Sequence, residues 1–322
     1  MSEFWIHYIY GGVTTSKMAA STAHLWNRPI VGAECFTGTP FNSKLTEHPY
    51  AMKAEGDYMM TTGVNRFVYH VFAHQPYVGG TPGTFMTMGP FGTHLNRNSV
   101  WAEQAIGLNI YNARCASILQ QGLYAADILY IKDEGISSGI ADYDFTCLLY
   151  TSDAATPYGY RWDIGSKNIL ERITVEDGRL TLPHGMNYRI LVLTPMKQCS
   201  PELLKQVKRL LQQGATIVLS GEKPEGYMGM DANKDMEVKA LADELWSKAS
   251  SALYDGTVYY TKDLQKVLNA EQIHPDFSFV SENKDAQIHF IHRTVGEEEV
   301  YFISNHRRRP ETVSYTHLTL PT

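Results

Sequence analysis

Short apolar runs alternate with longer helical segments over residues 1–123 of this 322-residue chain. Runs rich in β-branched and aromatic residues are typical of strands, and the Ala-rich segments between them have the composition of helices. This alternating order is typical of α/β proteins with a parallel sheet. The predicted strands are residues 3–7, 29–34 and 65–74, and the predicted helices are residues 16–27, 51–62 and 100–121.

Three strands are too few to close an eight-stranded barrel, because closure leaves no strand edge unpaired. Polar residues gather at the ends of the predicted strands, where parallel α/β enzymes carry their chemistry. The pattern therefore predicts either an open parallel sheet or the C-terminal part of a (β/α)8 barrel over residues 1–123. We expect the chain to begin inside a domain.

A second α/β pattern covers residues 124–275. Its helix before the last strand has Ser200 as the N-cap and Gly214 as the stop signal. The order of elements predicts a flavodoxin-like domain, and its loops lack a Gly-rich phosphate-binding sequence, so nucleotide binding has little support. The predicted strands are residues 126–131, 188–193 and 215–220.

The remaining segments are a hairpin and two stretches that fit no element. Residues 286–293 and 299–304 predict a hairpin that opens a β-sandwich over residues 276–313. Residues 147–155 interrupt the second domain, and residues 314–322 abandon the strand pattern abruptly. We interpret both stretches as artefacts that resemble translated sequencing adapters; an ordinary loop and a frayed tail are the alternative. We assign no function to either.

The composition is that of an ordinary globular protein, with 43% hydrophobic and 19% charged residues. No apolar run approaches the ~18 residues that predict a membrane span. A net charge of −6 and a pI near 6.1 argue against nucleic-acid binding, which requires a basic face. The four cysteines show no CxxC spacing and lie in or beside apolar runs, which favours buried thiols over a zinc site or disulfides.

Glu34 ends the apolar run of residues 29–34, which has the composition of a buried parallel strand. Burying a carboxylate carries a desolvation cost, so an acid at the carboxyl end of such a strand indicates a functional group; a salt-bridged structural role is the alternative. Glu3 lies one strand-helix-strand unit earlier. We therefore expect both carboxylates at the same rim of neighbouring strands, facing one cleft.

Aromatic and histidine side chains accompany the two acids. Paired acids in such a cleft suit glycoside hydrolysis, in which one carboxyl group protonates the leaving oxygen and another activates water or attacks carbon. Carboxylates with loop carbonyls equally suit Ca²⁺. Three histidines suit zinc, but His70 and His74 are spaced for a helix face within a predicted strand, and each histidine alone equally suits a packed structural role. The residues assigned to the substrate-facing lining are Trp5, His7, His70, His74 and His94, with Tyr77 beside them.

Several motifs occur in a fixed order along the chain. They are MAASTAH (18–24), PIVGAECFT (29–37), NRFVYH (65–70), AHQP (73–76), MGPFGTH (88–94) and QQGL (120–123). Their linked order is more specific than any one of them. From the N-terminus to about Ser304, the chain resembles glycoside hydrolase family 106, the α-L-rhamnosidases.

This resemblance implies a (β/α)8 catalytic barrel, a flavodoxin-like domain and β-sandwiches. The implied reaction is inverting hydrolysis of terminal α-L-rhamnose from plant or bacterial polysaccharides and glycosides. The Glu of the Ala-Glu-x-Phe-Thr motif, here Glu34, resembles the family's catalytic base, and the Glu of the Glu-Phe-Trp motif, here Glu3, resembles a ligand of its Ca²⁺. The family's general acid lies upstream of both, outside these residues. The resemblance also favours a periplasmic or secreted location, which the sequence alone leaves open.

Two other readings of the chain stay open. Another barrel glycosidase, such as a β-galactosidase-like protein with a flavodoxin-like domain, would place two acids ~5 Å apart and use one as a nucleophile. A non-catalytic carbohydrate-binding or assembly subunit is also possible, because the strand that would carry the general acid is not among these residues. Upstream sequence would distinguish an enzyme from a binding subunit, because a binding subunit has no further barrel strands.

Overall fold

The computed structural model describes residues 1–5, 10–38, 47–72, 74–76, 92–93, 95–132, 158–247, 254–307 and 309–317. The described chain divides into two compact units. The first contains Met1–Tyr124 and Phe279–Tyr315, and the second contains Ala125–Ser278 and the chain from Thr316 onward.

A three-stranded parallel sheet lies at the centre of the first unit, and its strands follow one another in chain order. Each strand is followed by a helix, as the sequence predicts. The elements are β1 (Ser2–Trp5), α1 (Tyr10–Leu25), β2 (Gly32–Thr37), α2 (Pro49–Thr61), β3 (Arg66–Tyr69), α3 (Ala105–Leu119) and β4 (Leu123–Tyr124).

Strand β2 begins at Gly32 and not at the predicted residue 29, and the side chain of Asn65 bonds to the chain just before the strand. The Val31 N–H donates to Asn65 Oδ1 at 2.8 Å, and Asn65 Nδ2 donates to the Pro29 carbonyl at 2.8 Å. The strand then continues through Thr37. Glu34 consequently lies in the middle of β2 and not at its end, which corrects the prediction.

A five-stranded parallel sheet lies at the centre of the second unit. The elements are β5 (Ile128–Ile131), β6 (Trp162–Gly165), α4 (Lys167–Leu170), β7 (Thr174–Glu176), β8 (Arg179–Thr181), β9 (Asn187–Tyr188), β10 (Ile190–Leu193), β11 (Gln198–Cys199), α5 (Pro201–Gln212), β12 (Thr216–Leu219), β13 (Gly226–Tyr227), α6 (Ala232–Leu245), β14 (Thr257–Tyr260) and α7 (Leu264–Ala270). The strand order of the parallel sheet is β6-β5-β10-β12-β14, and the unit also contains a short antiparallel sheet, β7-β8-β9, and a two-stranded pair, β11-β13.

Helix α5 confirms its sequence signals. Ser200 is the N-cap, and its hydroxyl oxygen accepts a hydrogen bond from the Leu203 N–H at 3.3 Å. Pro201 occupies the first turn, where its missing N–H costs nothing. Leu203 and Val207 are fully buried, so the apolar stripe of the helix faces the core.

The predicted hairpin forms, but it belongs to the first unit. Strands β15 (Phe277–Ser281), β16 (Ile288–Val295), β17 (Glu298–Asn305) and β18 (Val313–His317) complete the described elements. β16 pairs antiparallel with β17 on one side and with β4 on the other. The guanidinium of Arg293 donates to the carbonyls of Gln121 and Gly122 at 2.6 and 2.8 Å, just beyond the C-terminus of α3.

The sequence predicts that residues 276–313 open a separate β-sandwich. In the described chain, Phe279–Tyr315 group with Met1–Tyr124, the unit that contains the first sheet. Residues 313–317 form β18, paired with β15, although a tail without strand pattern was predicted from residue 314. Residues 147–155 lie outside the described residues. The β-sandwich assignment stays a prediction.

Replacing Arg293 with alanine should lower the stability of the first unit by about 2–3 kcal/mol, because two carbonyl groups lose a charged donor in a buried position. The exposed Arg28 offers a matched control, and Arg28→Ala should change stability by less than about 0.5 kcal/mol. Urea-unfolding midpoints measure both changes. Equal shifts in the two variants would contradict the prediction.

Candidate functional site

The two glutamates share one face of the three-stranded sheet. In a parallel sheet, residues paired in register point their side chains to the same face, and neighbours along a strand alternate. Glu3 pairs with Glu34, and Glu34 pairs with Val68 on β3. Glu3 is exposed, and the Glu34 side chain retains 29% of its accessible surface. Among the described residues, this face of the sheet is open to solvent.

The opposite face is covered by helices. Cys35 points to that face and is fully buried, and burial raises the pKa of its thiol well above the usual value. Gly56 of α2 lies against the Phe67 ring, and the Tyr69 hydroxyl donates to Asn109 Oδ1 of α3 at 2.8 Å. The cysteine beside Glu34 is therefore an uncharged, buried thiol, as the sequence predicts for the cysteines.

His70 follows β3 directly and reaches the carboxylate of Glu34. Nδ1 of His70 lies 3.5 Å from Oε1 of Glu34, and both side chains are partly exposed. An imidazole with a proton on Nδ1 can donate to this carboxylate, and a protonated imidazole would form an ion pair with it. Glu34, the predicted base, therefore lies next to His70, a predicted substrate contact.

A buried threonine ties together the two segments that carry this pair. Thr93 is fully buried, and its hydroxyl lies 3.2 Å from the carbonyl oxygen of Cys35 and 3.1 Å from that of Phe36. Its N–H donates to the carbonyl oxygen of His70 at 2.5 Å. One residue therefore bonds to the chain immediately after Glu34 and to His70 itself.

Glycine precedes this threonine because the backbone approaches too closely for a side chain. Gly92 has φ +121°, and a Cβ on it would meet the His70 carbonyl oxygen at 2.9 Å. Gly92 and Gly38 also exchange two backbone hydrogen bonds, at 3.1 and 3.2 Å. The segment 92–93 is thereby fixed against the ends of both β2 and β3.

A β-bulge interrupts β2 just after Glu34. Glu3 pairs with Glu34, but Trp5 pairs with Thr37, so β2 contains one residue more than β1 over this stretch. Phe36 lies within the extra segment and has φ +58°, the left-handed conformation that is costly for a residue with a Cβ. Bulges bend a strand locally and change the direction of its side chains.

Aromatic packing holds Phe36 in this conformation. Its ring is fully buried and lies 5.0 Å from the Phe4 ring in an edge-to-face arrangement. The rings of Phe67 and Tyr69 lie 5.6 and 5.8 Å away. The three parallel strands thus each contribute an aromatic side chain to one cluster beneath the site.

Comparison with known proteins identifies the family of the chain. The family model for the glycoside hydrolase 106 α-L-rhamnosidases matches residues 1–317. The chain belongs to this family. It is therefore a region of a glycoside hydrolase, a class whose substrates are carbohydrates.

Two relatives illustrate how the family region compares with longer proteins. The rhamnosidase from Novosphingobium sp. PP1Y superimposes with a TM-score of 0.81 at 26% identity, covering 98% of this chain and 30% of that one. A protein of Formosa agariphila, named "Putative beta-glucuronidase", is 31% identical over 315 residues, which is 97% of this chain and 25% of the relative. The chain therefore spans about a quarter to a third of the length of these relatives.

The predicted site residues of this family member are only partly described. Trp5 ends β1, and His74 lies exposed beyond β3. His7, Tyr77 and His94 lie outside the described residues. Sequence reasoning missed Thr93 and the bulge at Phe36, although both belong to motifs that it singled out. In the described part of the chain, no helix is long and apolar enough to cross a membrane.

The carboxylates of Glu3 and Glu34 are suitable ligands for a hard cation, but two carboxylates are too few to form a complete site. Glu3 and Glu34 offer carboxylate oxygens on adjacent strands, and oxygen ligands are what Ca²⁺ prefers. No group of three or more His, Cys, Asp or Glu residues that could hold a metal occurs within the described ranges. Because Ca²⁺ takes 6–8 oxygens, the two carboxylates alone would not complete a site, and further oxygens from other groups would be required.

The left-handed conformation of Phe36 predicts that a glycine variant is more stable than an alanine variant at this position, the reverse of the usual order. Phe36→Ala should destabilise by about 3–5 kcal/mol through lost packing. Phe36→Gly should be about 1 kcal/mol more stable than Phe36→Ala, because glycine adopts φ +58° without the left-handed penalty. Chemical-denaturation midpoints measure the order.

The neighbouring Phe4 is the matched control. It is as buried as Phe36 but lies in β1 without a positive φ, so Phe4→Gly should be about 0.5–1 kcal/mol less stable than Phe4→Ala. The same order at both positions would show that no strain is stored at Phe36.

Proposed function

We propose that these residues are part of an inverting α-L-rhamnosidase in which Glu34 is the general base. The observation that carries the proposal is the position of Glu34 on the open face of the parallel sheet, in contact with His70. The family match supports the substrate class. The substrate is then terminal α-L-rhamnose of plant or bacterial polysaccharides and glycosides.

In this mechanism the Glu34 carboxylate takes a proton from water as the water attacks the anomeric carbon. The leaving oxygen receives a proton from a second carboxyl group on the other side of the sugar, about 6.5–9.5 Å away. We assign that acid to the part of the longer enzyme that precedes residue 1. Trp5, His7, His74 and His94 stay candidates for contacts with the sugar hydroxyls.

We propose further that the first sheet belongs to a (β/α)8 barrel completed by strands outside this chain. In the described residues, β1 and β3 each have one edge without a strand partner. A cleft of about 400 Å³ lies between β3 and α3, with Phe67, Asn112 and Ala116 among its lining residues. A further strand on the free edge of β3 would occupy that side of the sheet.

The second unit is proposed to be flavodoxin-like. Numbered along the chain within the sheet, its five parallel strands have the spatial order 2-1-3-4-5. That is the order of flavodoxin-type doubly wound folds. Such folds carry many functions, so this unit adds no activity to the proposal.

Calcium completes the proposal for the first unit. Glu3 would be one ligand, with the remaining oxygens supplied from outside the described residues. A bound Ca²⁺ would supply positive charge that orients sugar hydroxyls. Glu34 would stay free to act on water.

The base assignment predicts a defined loss of turnover. In the full-length enzyme, Glu34→Gln should lower kcat on an aryl α-L-rhamnoside by ~10²–10⁴-fold, because a general base contributes on that order. Substrate binding and the unfolding midpoint should change little. Proton NMR of the wild-type reaction should show β-L-rhamnose as the first product, since the anomeric centre inverts.

Other outcomes favour the alternatives. An α-anomer as first product would indicate a retaining, β-galactosidase-like mechanism, and binding without hydrolysis would indicate a carbohydrate-binding subunit. An aryl β-glucuronide should be assayed in parallel because of the name of the Formosa relative. A Glu34→Gln enzyme with more than about a third of wild-type turnover would remove Glu34 from the mechanism.

The metal assignment predicts dependence on Ca²⁺. Exhaustive chelation of the full-length enzyme should abolish rhamnoside hydrolysis, and added Ca²⁺ should restore it, whereas Zn²⁺ should not, because zinc prefers four nitrogen or sulfur ligands. Glu3→Gln should weaken Ca²⁺ binding measured by calorimetry. Unchanged calcium affinity in this variant would return Glu3 to a structural role.

A further inference from the structure

We infer that His70 and Thr93 form a positioning pair for Glu34, in which Thr93 holds the two strand ends together and His70 orients the carboxylate. This inference rests on the proposed role of Glu34 as general base. It assigns His70 to the carboxylate and not to the sugar.

The hydrogen-bond ladder between β2 and β3 ends before it reaches His70. Its pairs run from Gly32 with Arg66 to Cys35 with Tyr69. The next residue of β2, Phe36, adopts φ +58° and leaves the ladder. Sheet pairing alone therefore does not fix the distance between Glu34 and His70.

Thr93 connects the ends of β2 and β3 where the backbone hydrogen bonds between them stop. Its N–H bonds to the carbonyl of His70, and its hydroxyl lies within hydrogen-bond distance of the carbonyls of Cys35 and Phe36. A hydroxyl has one proton, so the two carbonyls share it. Because Thr93 is fully buried, water does not compete for these bonds, and they connect the two strand ends rigidly.

The buried atom of His70 is the one that faces the carboxylate. The His70 side chain as a whole is 28% exposed, but its Nδ1 atom is inaccessible to solvent. Among the described residues, no group forms a well-aligned hydrogen bond with this atom. The Oε1 atom of Glu34 lies 3.5 Å from it. Catalytic hydrogen bonds are often long without substrate and shorten in the complex, so a donor held here can orient the carboxylate for a water molecule.

Two amide substitutions at His70 distinguish the role of Nδ1 from that of Nε2. The side-chain nitrogen of asparagine lies near the position of Nδ1, whereas that of glutamine lies near Nε2. In the full-length enzyme, His70→Asn should keep kcat within about tenfold of wild type, and His70→Gln should lower kcat ~10²-fold with little change in KM. A rise in KM at constant kcat in both variants would make His70 a substrate contact and overturn the inference.

Thr93 is tested by replacing its hydroxyl alone. Thr93→Val keeps the shape and should lower kcat ~10–10²-fold, whereas Thr93→Ser should restore nearly wild-type turnover. Because the Thr93 hydroxyl acts only by fixing the spacing between Glu34 and His70, the double variant Thr93→Val with His70→Gln should lose little more than His70→Gln alone. Full additivity of the two losses would show that Thr93 does not act on this pair.

A spectroscopic measurement keeps the inference testable without activity. The ¹⁵N shift of His70 Nδ1 should change on Glu34→Gln, because the anionic acceptor is lost. An unchanged shift would overturn the pair even if turnover falls. Conversely, an active Glu34→Gln enzyme would refute the proposed function, whereas an inactive Glu34→Gln enzyme with a fully active His70→Gln enzyme would refute only the positioning role.

Discussion

The parallel pairing of β1, β2 and β3 is the constraint on which the site depends. Its register brings Glu3, Glu34 and Val68 to one level on one face of the sheet. Parallel sheets are usually buried on both faces, but here one face is covered by helices and the other carries two carboxylates. Apolar packing therefore supports the strands from one side, while the two carboxylates lie on the side that is open to solvent among the described residues.

The same ladder is interrupted beside Glu34. One extra residue in β2 ends the pairing after Cys35, so the strand ends need other connections. Gly92 and Thr93 supply them by bonding to residues at both ends. The segment Gly92–Thr93 is therefore part of the sheet in energetic terms, although it lies outside the three strands. A site built this way can fix two side chains more closely than a loop alone could.

Local signals predict the alternating order of the first unit, but they give only three of the five strands of the second parallel sheet, missing β6 and β14, and they miss the long-range connections. The order of strands and helices, the cap at Ser200 and the hairpin follow from periodicity and propensity. The start of β2 does not, and the Asn65 side chain that bonds to the chain just before it is distant in sequence. The hairpin joins the first unit through Arg293, whose carbonyl partners lie more than 170 residues away, so no local pattern could reveal the connection. The sequence singles out Glu34 as a candidate from the apolar run that it ends, whereas the contacts of Thr93 with the chain around it follow only from the fold.

Phe36 shows why the bulge itself escapes prediction from sequence. A left-handed conformation costs a residue with a Cβ about 1–2 kcal/mol, and local propensity therefore argues against it at a phenylalanine. Burying a phenylalanine ring contributes about 1.5–3 kcal/mol, and this ring packs against aromatic side chains from β1 and β3. Packing exceeds the local cost, so the bulge is stable only in the assembled sheet. The residue that breaks the ladder beside Glu34 is thus held in place by the same three strands whose pairing it interrupts.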